Sequence, residues 1–434
     1  MARPRIVIVG AGFAGYHAAR RLTRRLRGSA DITVLNPTDY FCYLPLLPEV
    51  AAGTLEPRQI AVPLADTLPG ARIVLGEATA IDPHTRHVVY RDPEGRTAHL
   101  GYDRLLLTVG AVNQLLPIPG IADNAHGFRG VPEALHLRDH VIRQIEMAAT
   151  ATDARERAAR CTFVVVGAGY TGTEVTAQGQ LLTSAVARRH PQLRGIRRRW
   201  VLIEHGDRIL AHLDRRLSAA ATTTLRRRGA EIRTNTSVTE ATADGVHLDD
   251  GSFLPSRTLA WCVGARPDPL AEGTGWATDH GRLVVDARLN IPGHREVYAC
   301  GDAAAVPDLT RPGQTTAMTA QHAQRQGRCA ADNIAADLGV GRRRPYRHSS
   351  LGFVVDLGAG RAVANPLGVP LTGPAAFAVT RGYHLAALPA NRLRTAVTWL
   401  MSAGGHRPDI QFGLVAASAV PLDTDSPEVA HTGS

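Results

Sequence analysis

The 434-residue sequence contains no lysine, so all 49 of its basic residues are arginines. Without lysine the chain cannot form the Schiff base of pyridoxal phosphate enzymes, and it cannot supply the P-loop lysine of Walker-type nucleoside triphosphatases. The 49 basic residues outnumber 39 acidic ones, which gives a net charge of +10. Exclusive use of arginine is typical of a GC-rich genome, so we predict no nucleic-acid partner from this charge.

Cysteine is scarce as well. The five cysteines are Cys42, Cys161, Cys262, Cys300 and Cys329, and no two of them form a CxxC pair. This spacing favours a reducing cytoplasm and argues against a disulfide scaffold, and we predict no bound metal. The N-terminus runs directly into a strand, and no window reaches the about 20 apolar residues of a spanning helix. We therefore expect the protein to stay inside the cell.

The first motif is a glycine-rich turn between a strand and a helix. Residues 5–9 (RIVIV) predict a buried strand, residues 10–15 read GAGFAG, and residues 31–35 (DITVL) predict the next strand. This order predicts a dinucleotide site, because the glycines allow a tight turn, a close approach to the pyrophosphate and close helix packing. The residues that we predict to bind the first dinucleotide are Gly10, Gly12, Phe13, Ala14, Gly15 and Asn36.

The same arrangement recurs in the middle of the chain. Residues 162–166 (TFVVV) precede GAGYTG at 167–172, and a new strand at 200–203 leads into Glu204. A carboxylate at this place typically accepts hydrogen bonds from a ribose diol and rejects a 2′-phosphate, so we predict NADH rather than NADPH. The neighbouring Arg208 weakens that preference. The residues predicted for this second site are Gly167, Gly169, Tyr170, Thr171, Gly172 and Glu204.

A third motif lies closer to the C-terminus. Residues 296–299 (EVYA) predict a strand that is followed by Gly301 and Asp302, and residues 316–327 predict the start of a helix. An aspartate at a strand end can bind the ribitol of a flavin, and the helix dipole can stabilise charge on the reduced ring. In isolation this motif would indicate a turn. After two glycine fingerprints, we interpret it as part of an FAD site.

The order of these motifs resembles that of the two-dinucleotide-binding-domain flavoproteins. The segments that carry the resemblance are GAGFAG, LLLTVGA at 105–111, GAGYTGTE at 167–174 and ACGDAA at 299–304. Within that group the chain is similar to the type II (non-proton-pumping) NADH:quinone oxidoreductases. The similarity lies in TDYFCYLPLLPEVAAG at 38–53, WCVGARPDPL at 261–270 and TAQHAQRQG at 319–327, and it extends to about residue 370. These segments add Gly110 and Gly264 to the expected cofactor contacts.

The resemblance implies an α/β fold with two Rossmann-like dinucleotide-binding domains and a C-terminal helical membrane-association segment. The FAD domain would be discontinuous, with the NADH domain inserted into it. The implied boundaries are 1–115 and 286–372 for the FAD domain, 116–285 for the NADH domain, 373–422 for the amphipathic region and 423–434 for a disordered tail.

The resemblance also implies where the chemistry takes place. It puts Glu174 near the nicotinamide and flavin rings, where this acid would orient the nicotinamide or relay protons toward the quinone. An acid on the first turn of a helix can equally be an ion that the helix dipole stabilises. The implied quinone contacts are Gln321, Arg325 and Gln326, because amides can hydrogen-bond quinone carbonyls without titrating. Arg325 replaces a glutamine of the family pattern AQxAxQQ, and it would stabilise a reduced quinone or change the acceptor.

The C-terminal residues 374–403 are apolar with interspersed basic groups, and we expect Pro389 to separate two short helices. The second helix carries an apolar stripe formed by Leu393, Ala396, Val397, Leu400 and Met401. This stripe is typical of an interfacial helix, or of a helix that packs on the protein's own core. The resemblance favours peripheral attachment to the cytoplasmic side of a bacterial membrane and leaves a homodimer open.

Our hypothesis from the sequence is an FAD-dependent enzyme that oxidises NADH and reduces a quinone without pumping protons. Three alternatives stay open. One is a soluble NAD(P)H oxidase, peroxidase or ferredoxin-type reductase, for which Cys42 would be the single redox cysteine. Another is an enzyme like the sulfide:quinone oxidoreductases, which would need a pair such as Cys161 and Cys329. The third is a flavin redox sensor or membrane-docked binding protein without turnover.

Overall fold

A computed structural model describes residues 3–404 and 409–431. The strands in chain order are β1 (Arg5–Val9), β2 (Asp31–Asn36), β3 (Tyr40–Cys42), β4 (Ala61–Pro63), β5 (Ala71–Leu75), β6 (Glu77–Asp82), β7 (His87–Arg91), β8 (Thr97–Gly101), β9 (Arg104–Leu107), β10 (Ala111–Asn113), β11 (Thr162–Val166), β12 (Arg199–Ile203), β13 (Glu231–Arg233), β14 (Val238–Thr242), β15 (Gly245–Leu248), β16 (Phe253–Pro255), β17 (Thr258–Trp261), β18 (Ala265–Pro267), β19 (Thr278–Asp279), β20 (Arg282–Val284), β21 (Asn290–Ile291), β22 (His294–Ala299), β23 (Ala304–Ala305), β24 (Val354–Asp356), β25 (Ala362–Ala364) and β26 (Leu371–Thr372). The helices are α1 (Phe13–Leu26), α2 (Leu47–Ala51), α3 (Pro57–Ile60), α4 (Leu64–Thr67), α5 (Ile121–Asn124), α6 (Val131–Thr150), α7 (Ala154–Arg160), α8 (Tyr170–Ala187), α9 (Arg215–Arg227), α10 (Leu270–Gly273), α11 (Ala320–Asp337), α12 (Gly373–Ala387) and α13 (Arg392–Gly404). Short 3-10 turns lie at Leu44–Leu46, Pro191–Leu193, Gly301–Ala303, Pro366–Gly368 and Ala417–Ala419.

The chain divides into two compact units, each assembled from three stretches. The first unit contains residues up to 43, 61–112 and 265–350, and the second contains residues 44–60, 113–264 and those from 351 onward. These limits differ from the expected domain boundaries in three main ways. The stretch 44–60 belongs to the second unit, 265–285 belongs to the first, and 351–372, expected in the FAD domain, belongs to the second. The second difference arises because β20 pairs with β19 and with β23, which ties this stretch to the residues that follow it.

The core of the first unit is a six-stranded sheet with the order β21-β22-β9-β1-β2-β5. The pairs from β22 to β5 are parallel, and β21 adds an antiparallel edge. The central strand β1 is buried, as its continuous apolar run predicts. Helix α1 packs closely on α11, because a Cβ at Gly327 would overlap the carbonyl oxygen of Ala14. Smaller sheets, β3-β4, β6-β7-β8 and β19-β20-β23, complete this unit.

The second unit is built on a parallel sheet with the order β13-β12-β11-β17. Trp200 of β12 stacks on Phe163 of β11 with ring centroids 4.9 Å apart, and its Nε1 donates a hydrogen bond to Thr183 Oγ1 at 3.1 Å. Gly179 of α8 lies against the same indole, where a Cβ would overlap the ring. Helix α8 can therefore lie directly on the sheet. Two antiparallel sheets, β14-β15-β16 and β24-β25-β26, belong to the same unit.

The C-terminal segment forms two helices, and the predicted break at Pro389 is confirmed, since residues 388–391 separate α12 from α13. Helix α13 turns its apolar stripe outward: Leu393, Leu400 and Met401 are 78%, 76% and 72% exposed. Within the described ranges, no helix combines the length and the apolar character that crossing a bilayer requires. Residues 405–408 of the expected amphipathic region lie outside the described residues.

The inner face of α13 is polar. Thr395 is buried, and Thr398 Oγ1 accepts a hydrogen bond of 2.8 Å from Gln59 Nε2 of α3. Polar side chains therefore hold the helix to the second unit while the leucines face away from it. Periodicity alone gave the position of the stripe but not the direction in which it points.

The expected disordered tail is packed over residues 423–431. Thr424 Oγ1 lies 2.7 Å from Nε2 of His431. Gly130, the residue before α6, approaches the Pro427 carbonyl so closely that a Cβ would overlap it. The expectation of disorder was wrong for these residues, because specific backbone contacts hold a segment whose composition is polar. The last three residues of the chain lie outside the described part.

Candidate functional site

The glycine-rich turn between β1 and α1 is the first candidate nucleotide site. Gly12 is the N-cap of α1, and a Cβ added there meets no atom within 4 Å. At Gly15 an added Cβ would overlap the backbone oxygen of Gly10, so glycine alone lets the helix lie against the turn. No described side chain caps the start of α1. Open space beside uncapped N–H groups fits the diphosphate of a dinucleotide.

Asn36 holds this turn from the end of β2. Its Oδ1 accepts a hydrogen bond of 2.7 Å from Ala11 N, and its Nδ2 donates to Thr38 O at 2.9 Å. The side chain is 7% exposed. The amide therefore fixes the residue between the first two glycines of the motif, a role that the sequence did not indicate.

The ribitol motif lies beside the same turn. Asp302 stands in the 3-10 turn directly after β22, at the strand end that the sequence predicted. A Cβ on Gly301 would lie 3.1 Å from the Ala14 side chain and 3.6 Å from that of Ala323 in α11. The first fingerprint, the Asp302 turn and the start of α11 therefore meet within the first unit. Phe13, the first residue of α1, makes an edge-on ring contact with Phe41 at 5.0 Å.

Gln326 does not lie where a quinone contact would require it. Helix α11 begins at Ala320, after the expected start at residue 316, and Gln326 on this helix is 1% exposed. Its Oε1 accepts a hydrogen bond from Gly301 N at 2.8 Å, and its Nε2 donates to Thr316 Oγ1 at 2.9 Å. Because both amide atoms are bonded within the unit, Gln326 fastens the Asp302 turn to α11. This corrects its predicted role as a quinone ligand.

Gln321 and Arg325 lie on a more accessible side of α11, one helical turn apart. Arg325 Nη1 bonds the Ser349 carbonyl and lies 3.4 Å from Nδ1 of His348. The ring of His322 stacks on His348 at 3.9 Å, and burial lowers the pKa of His322 to about 4. These histidines were not among the residues predicted from the sequence. The position of His322 directly beside Gln321 was the available signal.

The turn between β11 and α8 in the second unit repeats the first geometry. A Cβ at Gly169, the N-cap of α8, meets no atom within 4 Å, whereas one at Gly172 would overlap Gly167 O. Glu204 Oε2 accepts a hydrogen bond from Ala168 N at 2.8 Å. Glu204 therefore corresponds to Asn36 of the first unit, with a carboxylate instead of an amide.

The remaining predicted contacts are residues near the two turns. Tyr170 and Thr171 begin α8, and burial raises the pKa of Tyr170 to about 12. Gly110 follows β9 with a φ of +85°, and Gly264 follows β17 with a φ of +60°. Strand β9 pairs with the fingerprint strand β1, and β17 pairs with the fingerprint strand β11. Each glycine therefore follows, by a few residues, the neighbour of the fingerprint strand.

Glu174 is the fifth residue of α8, one turn later than the sequence predicted, and it belongs to a cluster of three acids and one arginine. Its Oε1 accepts a hydrogen bond of 2.9 Å from Asp356 N. Arg381 forms an ion pair with Glu49, and its Nη2 lies 3.0 Å from Asp356 Oδ2. Trp399 Nε1 donates to Glu49 Oε2 at 2.7 Å, and the guanidinium of Arg381 lies 4.0 Å from the Trp399 ring centroid.

The cluster raises the pKa values of its acids. Burial, together with the charges of Asp356 and Glu49, raises the pKa of Glu174 well above its ordinary value. Burial also raises the pKa of Glu49 to about 7 and that of Asp356 above its usual range. A single arginine cannot balance three carboxylates. Burial and the neighbouring acids therefore favour the protonated form of Glu174, while Arg381 and the hydrogen bond from Asp356 N act in the opposite direction.

Replacing Glu174 with glutamine is expected to stabilise the protein near pH 8 more than near pH 5. The unfolded chain releases the proton at the ordinary glutamate pKa, whereas the folded chain retains it. Wild-type stability therefore falls by about 1.4 kcal/mol per pH unit between the two pKa values. Thermal unfolding at both pH values measures the effect, with Glu240→Gln on exposed β14 as the control. An equal change at both pH values would contradict the raised pKa.

The cysteines do not support dithiol chemistry. Cys161 and Cys329 are buried, burial raises the pKa of Cys161, and it raises that of Cys329 to about 11. Since the thiolate is the nucleophile, these thiols stay protonated and unreactive at neutral pH. Cys42, on β3, and Cys262 are partly exposed, but burial raises the pKa of Cys262 to about 12, so Cys42 stays the candidate for single-cysteine chemistry.

Comparisons with known proteins agree with this geometry. Residues 4–327 match the family described as pyridine nucleotide-disulphide oxidoreductase. The chain is 31% identical over 411 residues to the demethylphylloquinone reductase NdbB of Synechocystis, which covers 92% of this chain and 96% of that protein. It is 30% identical over 416 residues to the type II NADH:quinone oxidoreductase Ndh of Mycobacterium tuberculosis, with 92% and 87% covered.

A solved structure gives the same fold. The structure of NDH2 from Plasmodium falciparum in complex with NADH aligns with a TM-score of 0.86 at 18% identity, over 94% of this chain and 100% of that one. The α/β architecture with two nucleotide-binding folds is thereby confirmed. The chain belongs to the pyridine nucleotide-disulphide oxidoreductases, and within them to the type II NADH:quinone oxidoreductases that its motifs resemble.

Proposed function

We propose that this chain oxidises NADH and reduces a quinone, using bound FAD and without pumping protons. The observation that carries the proposal is the repeated fingerprint geometry, with open space at Gly12 in one unit and at Gly169 in the other. Relatives over most of the chain are named for quinone reduction. Bound FAD supplies the two-electron chemistry that connects the two substrates. The overall reaction consumes NADH, one proton and the quinone, and it releases NAD⁺ and the quinol.

The residues of the first unit suit FAD. The start of α1 presents backbone N–H groups to a diphosphate, with Gly12 leaving room for it. Asp302 would bind ribitol hydroxyls, and Gln326 keeps the Asp302 turn attached to α11. Asn36 supports the turn through Ala11. We assign Gly110, on the adjacent strand end, to the same site.

The residues of the second unit suit NADH. Glu204 stands where a ribose diol would be bound, and its negative charge disfavours a 2′-phosphate. Arg208 donates to the carbonyl groups of Ala211 and Leu213, which holds its guanidinium on the backbone. Arg208 is therefore less available to bind the 2′-phosphate of NADPH than the sequence indicated. We propose that NADH is the preferred donor, with Gly264 near the same strand ends.

We propose that Glu174 and residues on the accessible face of α11 act on the substrates. Quinone reduction needs protons, and burial beside Asp356 and Glu49 raises the pKa of Glu174 well above its ordinary value, which favours its protonated form. We propose that it orients the nicotinamide or donates a proton toward the quinone. Gln321 and Arg325 remain the proposed quinone contacts, because an amide and a guanidinium both donate hydrogen bonds to carbonyl oxygens.

The test uses the purified full chain under anaerobic conditions. Its FAD absorbance should bleach on addition of NADH, more slowly with NADPH, and return on addition of a short-chain quinone. A Cys42→Ser variant should keep this turnover, whereas its loss would favour a peroxidase. Recovery with oxygen but not with quinone would favour an oxidase. Protein that neither contains nor takes up FAD would contradict the proposal.

We further propose that helix α13 attaches the protein to the cytoplasmic side of a bacterial membrane. Three large apolar side chains of its stripe, Leu393, Leu400 and Met401, are exposed. Arg392 and Arg394 are exposed at the start of the same helix, where they would meet anionic headgroups. An apolar face flanked by arginines is the pattern of an interfacial helix.

Replacing Leu400 with glutamate should weaken binding to anionic vesicles about tenfold or more, because burying one leucine contributes about 1.5–3 kcal/mol. Co-sedimentation with vesicles measures the effect. Phe253→Glu, on exposed strand β16 of the same unit, is the matched control and should bind like the wild type. If the stripe instead joins two copies, Leu400→Glu will dissociate a dimer in gel filtration and leave vesicle binding unchanged.

A further inference from the structure

Three histidines of the second unit form a cluster apart from the nucleotide and acid sites. His126 lies between α5 and α6, and His136 and His140 lie one turn apart on α6. One ring nitrogen of each histidine lies within 4.8 Å of the corresponding nitrogens of the other two. The ring centroids of His126 and His140 are 4.3 Å apart, and those of His126 and His136 are 5.1 Å apart.

Two of the rings are anchored through one nitrogen each. Nδ1 of His136 lies 3.1 Å from Val415 O, and Nε2 of His140 lies 2.9 Å from Arg257 O and 3.0 Å from Thr258 Oγ1. Metal-binding histidines commonly donate the second ring N–H to a backbone carbonyl, which fixes the tautomer and the ring orientation. With those nitrogens protonated, Nε2 of His136 and Nδ1 of His140 carry the free lone pairs.

The free nitrogen of His136 lacks a partner. Its Nε2 is buried and has no hydrogen-bond partner among the residues that the structure describes, and the residue is 4% exposed. A buried polar atom without a partner is costly, and native proteins rarely leave one. A cation bound by this nitrogen would satisfy it.

The buried ring of His136 lies beside two rings that are less buried. Both His126 and His140 are partly exposed, which gives an ion access.

We propose that His126, His136 and His140 bind a divalent transition metal, with Zn²⁺ the ion that the ligand set fits. Three imidazoles with neither thiolate nor carboxylate are typical of zinc and its neighbours, and water would take the fourth position. Nitrogens around a tetrahedral zinc lie about 3.3 Å apart, so the three nitrogens, now within 4.8 Å of one another, would have to move closer by at most about 1.5 Å.

The ion would join α6 to the sheet of the second unit. His126 N donates a hydrogen bond of 2.8 Å to Leu259 O, and Trp261 N donates one of 2.8 Å to His126 O, which bridges this segment to β17. A metal that also binds His136 and His140 would connect that bridge to the helix. The role is structural, and it is independent of the proposed reaction.

Metal binding is tested on the full FAD-containing chain, made without a histidine tag and treated with a chelator. Equilibrium dialysis against Zn²⁺, followed by metal analysis, should give one ion per chain. Zn²⁺ should also raise the thermal midpoint by a few degrees, because an ion that binds only the folded state stabilises it. A stoichiometry near zero at micromolar Zn²⁺ would overturn the proposal.

Two variants remove a ligand and keep the anchoring hydrogen bond. In His136→Asn the amide nitrogen replaces Nδ1, and in His140→Gln it replaces Nε2, so the bonds to Val415 and Arg257 are retained. Each variant should weaken Zn²⁺ binding about 100-fold or more. Each should keep its FAD content and its melting temperature in chelator, which separates ligand loss from misfolding.

His280→Asn is the matched control, because the His280 side chain is 95% exposed and lies outside the cluster. It should bind Zn²⁺ like the wild type. If His136→Asn and His140→Gln also bind like the wild type, the metal sits elsewhere and the proposal fails. NADH oxidation is measured in parallel, so a failure of the proposed enzyme activity is recognised separately from a failure of the metal site.

Discussion

A Gly15→Ala variant is expected to purify without FAD and to lose NADH oxidation. The added methyl group would overlap the backbone oxygen of Gly10, and the Thr108 hydroxyl lies close by as well. The Gly10 carbonyl is backbone and cannot move without separating α1 from the strands on which it packs. Overpacking costs about 1–3 kcal/mol even where side chains can yield, and a backbone overlap should lie near the upper end of that range, so we expect the affinity for FAD to fall about 100-fold.

The flavin content of the purified Gly15→Ala protein, read from its absorbance, measures this loss. Gly273→Ala is the control in the same unit, since a Cβ at this helical position meets no atom within 4 Å. The control should remain yellow. Full flavin occupancy in Gly15→Ala would show that FAD is not held by this turn.

A Gly172→Ala variant should behave differently, because it alters the matching position of the second unit. Here the methyl group would overlap Gly167 O, and the Cys262 side chain lies 3.3 Å away. We expect the protein to keep its FAD and to lose affinity for NADH about 10- to 100-fold. Dithionite should still reduce the flavin, and quinone should still reoxidise it.

Stopped-flow reduction by NADH measures this second effect, with Gly382→Ala on α12 as a control whose Cβ meets open space. Loss of FAD from Gly172→Ala, or unchanged reduction by NADH, would contradict the assignment of one nucleotide to each unit. The two glycine variants together separate flavin binding from NADH binding in a single chain.

The features that the sequence predicted are local ones. A strand, three spaced glycines and a helix follow one another within about 20 residues, so their geometry depends on neighbours in the chain. The same holds for the Asp302 turn after β22 and for the break at Pro389. At each of these positions the local backbone conformation favours a particular residue type, and that residue can be recognised in the sequence.

The features that the sequence did not predict depend on distant segments. The sequence left Glu174 open between an N-terminal helix acid and a group near the reacting rings, because its neighbours Glu49, Asp356 and Arg381 lie far from it in the chain. Gln326 fits a polar helix face as well as it fits a buried link to Gly301. Whether such a residue is buried or exposed depends on tertiary packing. The spacing of residues within one helix does not reveal it.

The histidine cluster could be predicted from the sequence only in part. The spacing of His136 and His140 on α6 was visible in the sequence and places both rings on one face of a helix. The contribution of His126 was not visible, because the pairing of its segment with β17 brings it to that face. Sparse cysteines argued against a metal site, but that argument does not apply to imidazole ligands.

The second unit is assembled from segments that lie far apart in the chain, and this affects how the protein folds during synthesis. Glu49 is bonded to Arg381 and to Trp399, which follow it in the chain by 332 and 350 residues. Gln59 is bonded to Thr398, which follows it by 339 residues. The ribosome therefore releases residues 44–60 long before their partners have been translated. The first unit is complete once residue 350 has emerged, so it can fold during synthesis. The second unit can be completed only after α12 and α13 have been translated, and until then nascent Glu49 has neither of these partners and is solvated by water.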